Sequence, residues 1–214
     1  MSSALAADPA SPPTDARPER LRLFVALDLP EERRRAIHAW AERKLATDDV
    51  RIVRQESLHV TVAFLGHHPA DAAQRAAELV REVEPRPVSL TPLPDLAPVP
   101  RSRPRLVALG LDSAGAEAIH AELTPRLLAE GLCKRERRPF WPHLTLARAR
   151  GGKHERGARK TLRGSLPAPP GELLEAFEAV RLALYRSLLR PDGSQYVSLA
   201  NLDLPPAATA PGAD

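Results

Sequence analysis

The alternation of apolar and polar residues predicts a domain between residues 20 and 204 that mixes strands and helices. Short apolar or alternating runs predict strands at residues 21–29, 51–53, 57–65, 88–93, 105–111, 142–148, 177–187 and 196–204. Apolar residues at helical spacing predict helices that begin after Pro30 and at residues 69–83 and 114–130. The order of elements lacks the regular βαβ alternation of a parallel sheet, so the sequence predicts an α+β fold with mostly antiparallel sheets.

The two ends of the chain differ from this domain in composition. Residues 1–19 and 205–214 are rich in Ala and Pro and show no apolar periodicity, so we expect them to be disordered tails. Residues 151–163 form a basic segment that begins with glycine and is expected to be a loop or a short helix. The sequence therefore predicts one folded domain, residues 20–204, between two tails.

The composition excludes several classes of protein. The single cysteine, Cys133, rules out an internal disulfide and a cysteine-based zinc site, and we expect it to be a buried small residue. No run approaches the ~20 apolar residues of a membrane span, and the first residues lack the features of a signal peptide, which favours a cytoplasmic protein. The GxxxxGK[ST] and GxGxxG nucleotide motifs are absent. A net charge of +4 is compatible with an anionic substrate and does not establish one.

One pattern occurs in two of the predicted strands, which read LHVTVAF and PHLTLAR. The histidines of the two copies, His59 and His143, lie 84 residues apart (143 − 59). Because side chains alternate across a strand, His59 shares a face with Thr61, and His143 shares a face with Thr145. A small alanine follows on the same face of each strand, and the alternation predicts that Phe64 faces the core.

Two histidines with neighbouring hydroxyls suit an attack on a phosphodiester. The reaction needs a base on one side of phosphorus and an acid on the other, and imidazole can serve as either. The hydroxyls of Thr61 and Thr145 can donate hydrogen bonds to the non-bridging oxygens, and an arginine can neutralise the phosphate. Arg148 is the candidate arginine, but strict alternation places it on the opposite face from His143. It reaches the cleft only if the strand bulges or ends near Ala147.

The two HxTx motifs and their flanks resemble the 2H phosphoesterase superfamily, and within it the RNA 2′,3′-cyclic phosphodiesterase family, historically called 2′-5′ RNA ligase (LigT or ThpR). The opening LRLFVALDLP and the closing LALYRSLLRPDGSQYVSL add to the resemblance, which covers residues 21–204. It implies an α+β fold of two pseudo-symmetric lobes, with antiparallel sheets flanked by helices around a central cleft. It also implies cleavage of a 2′,3′-cyclic phosphate at its 3′-oxygen, which leaves a 2′-phosphomonoester, without a metal or another cofactor.

The resemblance also implies a role for each candidate residue. His59 matches the general acid, the proton donor to the 3′-oxygen, and His143 matches the base, the proton acceptor that activates water. Thr61, Thr145 and Arg148 match ligands of the substrate phosphate. The implied substrates are RNA ends or small cyclic nucleotides, and the reverse reaction is 2′-5′ ligation. We expect a monomer that does not bind membranes.

Two other functions remain open from the sequence. A non-catalytic module that binds RNA ends would use the same cleft, although the presence of both histidines favours an enzyme. A metallohydrolase would need ligands that the motifs lack. His67 and His68 have no acidic or cysteine partner at ligand spacing, so we expect a solvated turn there. His38 and His120 are expected to be surface or cap residues of the helices.

Further basic and aromatic residues have two interpretations each. The basic runs at residues 134–138 and 153–163 could follow an RNA backbone or form solvated faces. Phe140 and Trp141, just before the second motif, could stack on a base or pack in the core.

Overall fold

The computed structural model describes residues 19–150, 165–190 and 193–207. The predicted tails, apart from Glu19 and residues 205–207, and the basic segment 151–163 lie outside the described residues. The elements in chain order are β1 (Leu21–Asp28), α1 (Glu31–Leu45), β2 (Val50–Ile52), β3 (His59–His68), α2 (Ala70–Arg81), β4 (Ser89–Val99), β5 (Leu106–Asp112), α3 (Ala114–Ala129), β6 (His143–Ala149), α4 (Gly171–Leu174), β7 (Phe177–Glu178), β8 (Arg181–Arg190) and β9 (Gly193–Asp203).

The strands form one antiparallel sheet whose order is symmetric about its centre. The order is β7-β4-β5-β6-β3-β1-β8-β9, and β2 pairs with β6 beside this path. We call β3, β1, β8 and β9 the first lobe, and β6, β5, β4 and β7 the second lobe. The two lobes join where β3 pairs with β6, so the strands that hold the two HxTx motifs lie at the centre. This arrangement confirms the predicted α+β fold with antiparallel strands and two related lobes.

The helices cover the sheet with the apolar faces that their spacing predicts. In α1 the buried residues are Ile37, Trp40, Ala41 and Leu45. Ser113 caps the N-terminus of α3, because its Oγ accepts a hydrogen bond of 3.1 Å from the backbone N–H of Ala116. The helix is followed by Gly131 at φ +68°, a conformation that glycine adopts without strain. Helix α1 contacts β6 and α3 contacts β3, so each helix supports the motif strand of the other lobe.

Several boundaries differ from the predictions for identifiable reasons. Strand β3 continues beyond Gly66 because this residue, at φ +88°, forms an irregularity in the pairing with β1 and does not end the strand. Strand β4 runs through a Pro-rich segment that was expected to be a connection. Among the described residues β7 pairs with β4 only at Ser89 and Leu90, and the open edge beyond them tolerates proline. The predicted strand 177–187 is two strands, β7 and β8.

Candidate active site

The two HxTx motifs meet across the centre of the sheet at equivalent positions. Val60 pairs with Leu144, and each is the residue that follows a motif histidine. Because the strands are antiparallel, Thr61 extends towards His143 on one side of this pair, and His59 extends towards Thr145 on the other. An approximate twofold axis therefore passes between Val60 and Leu144 and relates the two motifs.

Each motif histidine is held by the backbone two residues before it. Nδ1 of His59 donates a hydrogen bond of 2.8 Å to the carbonyl of Ser57, and Nδ1 of His143 donates one of 2.8 Å to the carbonyl of Trp141. A carbonyl oxygen only accepts, so in the neutral rings the proton is on Nδ1 and the lone pair is on Nε2. The hydroxyl of Thr61 lies 3.1 Å from Nε2 of His59 and donates to it in this tautomer. Both rings therefore direct Nε2 towards the cleft as a group that can accept or deliver a proton.

A β-bulge after each threonine changes which residues face the cleft. In β6 the pairing with β5 passes from Thr145 directly to Ala147, so Leu146 is the additional residue. In β3 the pairing with β1 passes from Thr61 to Ala63, so Val62 is the equivalent residue. A bulge reverses the alternation of side chains beyond it. The two strands accordingly show the same pattern of buried and exposed residues from the histidine to the fifth residue after it.

These bulges correct the predictions that rested on strict alternation. Arg148 lies on the same side as His143, as expected for a strand that bulges near Ala147. Phe64, the equivalent residue of the first motif, was predicted to face the core but is 64% exposed. Ala63 and Ala147, expected beside the histidines, are buried. Two successive apolar residues in each motif, Val-Ala and Leu-Ala, were the sequence signal for the bulges.

Side chains and backbone from outside the motifs fix both bulges. The carbonyl of Val62 accepts a hydrogen bond of 2.9 Å from Nδ1 of His120 on α3. The carbonyl of Leu146 accepts one of 2.8 Å from the backbone N–H of Val53, whose own carbonyl accepts from His38 on α1 at 3.1 Å. The two helical histidines therefore support the bulges, and they are not simple surface residues.

The surroundings of His59 include a buried carboxylate. Asp28, at the end of β1, is the cross-strand neighbour of His59 and is 3% exposed. Its oxygens accept hydrogen bonds of 2.7 and 2.8 Å from the hydroxyl of Tyr185, and one oxygen pairs with Nε of Arg181. The ring of Phe24 lies 4.9 Å from the imidazole of His59. Sequence reasoning missed Asp28, although its position at the end of the apolar run RLFVALD was a signal.

His143 has a different neighbour at the equivalent position. The pairing of β5 with β6 places Gly110 opposite His143, where β1 places Asp28 opposite His59. The indole of Trp141 lies next to this glycine: a Cβ added at Gly110 would come within 3.3 Å of the indole Nε1. The indole stacks on the His143 ring at a centroid distance of 4.5 Å and is 38% exposed. The second lobe thus replaces a carboxylate with an aromatic surface.

Burial and charge lower the pKa of both histidines. Desolvation is the main cause for His59, whose pKa falls from 6.5 to about 4 despite the hydrogen bond to Ser57 and the charge of Asp28, which both raise it. Desolvation also lowers the pKa of His143, again against the hydrogen bond to the Trp141 carbonyl. The positive charge of Arg148 lowers both pKa values, so its guanidinium lies within electrostatic range of both rings. Both imidazoles are therefore neutral at pH 7 in the free site.

A cavity of about 280 Å³ opens beside the two motifs. Its lining includes Thr61, His143 and the exposed ring of Phe64, together with Lys134, Glu136 and Arg138. Trp141 borders the cavity, and so does Phe140, which stacks on His120 at 4.2 Å. The cavity therefore combines aromatic faces with cationic groups next to the histidines.

Cys133, which was expected to be buried, is half-buried and lines the same cavity. Burial raises the pKa of the Cys133 thiol, which disfavours the reactive thiolate. Nε2 of His68 donates to the carbonyl of Leu65 at 2.9 Å. Across residues 19–150, 165–190 and 193–207, no three His, Cys, Asp or Glu side chains are grouped so that they could hold a metal ion. None of the helices in the same ranges is long and apolar enough to cross a membrane.

Known proteins are similar to this chain in both sequence and fold. The family model of the 2′-5′ RNA ligase superfamily matches residues 29–190. The RNA 2′,3′-cyclic phosphodiesterase of Escherichia coli (strain K12) is 34% identical over 131 residues, which cover 61% of this chain and 73% of that protein. The protein of the same name from Methanocaldococcus jannaschii is 27% identical over 177 residues, covering 82% of this chain and 96% of that protein.

Solved structures agree with this relationship. The crystal structure of Escherichia coli LigT complexed with 3′-AMP matches with a TM-score of 0.70 and 29% identity, covering 87% of this chain and 99% of that chain. A crystal structure of a phosphoesterase matches with a TM-score of 0.71 over the same shares. The fold is that of these phosphoesterase structures. The chain belongs to the 2′-5′ RNA ligase superfamily.

Proposed function

We propose that this protein is an enzyme that hydrolyses 2′,3′-cyclic phosphates at the ends of RNA or in small cyclic nucleotides. The observation that supports it best is the Val60–Leu144 pairing, which places two imidazoles, each held through Nδ1, on neighbouring strands of one cleft. The curated relatives in Escherichia coli and Methanocaldococcus jannaschii are named RNA 2′,3′-cyclic phosphodiesterases, which supports this activity.

The proposed reaction uses the two histidines in opposite roles. Nε2 of His143 accepts a proton from a water molecule as the water oxygen attacks phosphorus. The bond from phosphorus to the 3′-oxygen breaks, and protonated His59 delivers its Nε2 proton to that oxygen. The products are a 2′-phosphomonoester and a 3′-hydroxyl, and the site ends with the proton transferred from His59 to His143. Asp28 favours this assignment because its charge stabilises the protonated form of His59.

Binding of the substrate phosphate is expected to favour the protonated form of His59. The hydroxyls of Thr61 and Thr145 and the guanidinium of Arg148 are proposed to bind its non-bridging oxygens. The bound anion offsets the charge of Arg148 and stabilises an imidazolium at His59, whose pKa in the free site is about 4. We therefore expect proton uptake when substrate binds at pH 7.

The nucleoside has an aromatic surface beside the phosphate site. Phe64 presents an exposed ring at the rim of the cavity that Thr61 and His143 line. Bases stack on such rings whatever their identity, so Phe64 is proposed to hold the terminal base. Run in reverse, the same site joins a 2′,3′-cyclic end to a 5′-hydroxyl, and hydrolysis dominates in water.

Product analysis in heavy-oxygen water tests the proposal. The protein is incubated with an RNA that ends in a 2′,3′-cyclic phosphate, in H₂¹⁸O with EDTA. We expect a terminal 2′-monoester with one ¹⁸O on phosphorus. Tight binding without turnover would favour a non-catalytic module that binds RNA ends. Loss of activity in EDTA with recovery on adding a divalent cation would favour a metallohydrolase, and a 3′-monoester would contradict the cleavage site.

A further inference from the structure

Three arginines on the strands around the cleft have no carboxylate partner among residues 19–150, 165–190 and 193–207. Arg148 on β6 pairs in register with Arg51 on β2, so the two side chains leave the sheet on the same face. Arg22 on β1 lies two residues before Phe24, on the face that packs against His59. In the described part of the chain, Arg22, Arg51 and Arg148 form no hydrogen bond or ion pair through their guanidinium groups.

Neighbouring arginines show that pairing is otherwise available on these strands. On β8, Arg181 pairs with Asp28 and Arg186 pairs with Glu19. Desolvation is the main cause that lowers the pKa of Arg148, and the positive charges of Arg51 and Arg22 lower it further, so each of these two guanidiniums lies within electrostatic range of Arg148. The arrangement costs repulsion in the free protein, and a bound anion relieves it.

The proposed substrate phosphate leaves part of this charge unused. A cyclic phosphodiester carries a single negative charge, which Arg148 alone can neutralise. Nη1 of Arg51 lies beside the start of β9, since an added Cβ at Gly193 would lie 3.6 Å from it. A second anion beside Arg51 and Arg22 would complete the balance of charge, and in a single RNA strand every preceding linkage supplies one.

We propose that Arg51 and Arg22 form a second phosphate subsite, which binds the internucleotide phosphodiester immediately upstream of the terminal cyclic phosphate. This inference rests on the proposed function and specifies its substrate class. The enzyme prefers a short oligonucleotide with a 2′,3′-cyclic end to a mononucleotide 2′,3′-cyclic phosphate. In this proposal Arg148 binds the cyclic phosphate that is cleaved, and the other two arginines bind the phosphodiester upstream of it.

The test compares three substrates in the full-length protein. These are a nucleoside 2′,3′-cyclic phosphate, the same compound with a 5′-phosphate, and a dinucleotide with one internal phosphodiester and the same cyclic end. For the wild-type protein we expect kcat/KM to be about tenfold higher on the dinucleotide than on the nucleoside compound, the effect of roughly one charged contact. A similar gain is expected on the 5′-phosphorylated compound, because its 5′-phosphate occupies the position of the upstream linkage. A gain on the dinucleotide without any gain on the 5′-phosphorylated compound would assign the preference to the second nucleoside and overturn the phosphate subsite.

Arg51→Ala is expected to remove most of this gain while changing kcat/KM on the nucleoside 2′,3′-cyclic phosphate less than twofold. Arg51→Lys should recover part of it, and the salt dependence of KM for the dinucleotide should weaken. Arg81→Ala, which removes an exposed arginine from the last turn of α2, is the matched control and should leave all values unchanged. Equal losses on both substrates, or no loss on either, would overturn the second subsite.

A binding measurement separates this inference from the proposed function. A dinucleotide that ends in a 3′-phosphate and the matching nucleoside 3′-phosphate are titrated into wild-type protein and Arg51→Ala. We expect the wild type to bind the dinucleotide about tenfold more tightly and the variant to lose that preference. A preference that the variant retains would overturn the subsite even if turnover is normal. Absence of any hydrolysis, with the Arg51-dependent preference intact, would instead contradict only the proposed function.

Discussion

The two halves of the active site have the same backbone and different chemistry around it. In both, a histidine binds a backbone carbonyl through Nδ1, a threonine follows, and a bulge turns the fifth residue after the histidine into the cleft. That residue is Phe64 in the first lobe and Arg148 in the second. Opposite the histidine, the first lobe has the buried Asp28, and the second has Gly110 beneath the ring of Trp141.

This difference bears on the opposite proton transfers that we propose for the two similar motifs. Both lobes share the hydrogen bond to Nδ1 of the histidine. This bond orients an imidazole that can either accept or donate a proton. The lobes differ in the charge beside the imidazole. Asp28 raises the pKa of His59 against the desolvation that lowers it, whereas the aromatic, more exposed setting of His143 has no such negative charge. The proposed role of His59 as the acid therefore also needs the negative charge of the bound phosphate.

Removal of either histidine should have the largest effect. His59→Ala and His143→Ala are each expected to lower kcat by ~10²–10⁴-fold, because acid and base act in the same displacement. The double variant should be little worse than either single variant. Single-turnover rates on a cyclic-ended RNA, with circular dichroism to check the fold, measure this. A single variant with a nearly wild-type rate would sink the two-histidine mechanism.

Separate substitutions of Arg148 and Phe64, the two residues that the bulges turn into the cleft, should distinguish phosphate binding from base binding. Arg148→Ala is expected to lower kcat/KM by about 10–150-fold, since a charged hydrogen bond is worth roughly 1.5–3 kcal/mol. Arg148→Lys should recover part of the loss. Phe64→Ala should raise KM and leave kcat within about twofold, because a stacked base contributes binding alone.

The outcome for this pair is read from steady-state kinetics on one substrate. If Arg148→Ala is fully active, the phosphate is neutralised elsewhere and the twofold relation has no functional meaning at this position. If Phe64→Ala lowers kcat as strongly as Arg148→Ala does, Phe64 serves the reacting phosphate and not the base.

The contrast between the lobes also shows where sequence reasoning succeeds and where it fails. The HxTx repeat predicted the four motif side chains of the site because strand alternation is local and holds up to each threonine. It failed at Phe64, since a bulge depends on the register with a neighbouring strand, and that register is a property of the folded sheet. Asp28 and Arg51 were missed for the same reason, because they reach the site only through cross-strand pairing.

The lowered pKa values predict an acidic shift of the pH profile. The reaction needs one protonated and one neutral imidazole, whereas both are neutral in the free enzyme at pH 7. We expect a bell-shaped profile of kcat/KM with its maximum between about pH 4, the lowered pKa of His59, and pH 6.5, the ordinary value from which the pKa of His143 is lowered. Above the maximum kcat/KM should fall about tenfold per pH unit as the required proton is lost. A maximum above pH 7.5, or a flat profile from pH 5 to 9, would contradict the assigned charge states.

The two bulge supports should differ in their tolerance of substitution. His120→Phe keeps a ring against Phe140 but leaves the Val62 carbonyl without its donor, so we expect a several-fold rise in KM as Phe64 moves and a loss of about 1 kcal/mol in stability. His120→Asn offers an amide N–H near the position of Nδ1 and should restore most of both. His38→Phe is the matched variant in α1, where a backbone N–H still holds the Leu146 carbonyl, and it should have the smaller effect on activity. Equal effects of His120→Phe and His38→Phe on activity would contradict the predicted difference between the two bulge supports.

A sulfur atom at the bridging 3′-position tests the central claim, that the two histidines are an acid and a base with fixed assignments. A 3′-thiolate leaves without a proton, so a 2′,3′-cyclic phosphorothiolate bypasses the need for a general acid but still needs a base to activate water. Rates of cleavage of this compound and its oxygen analogue are measured for the wild type, His59→Ala and His143→Ala. The account predicts that sulfur restores His59→Ala to within about tenfold of the wild type and leaves His143→Ala impaired by ~10²-fold or more. Rescue of His143→Ala with continued impairment of His59→Ala would reverse the assignment, and equal rescue of both would contradict it.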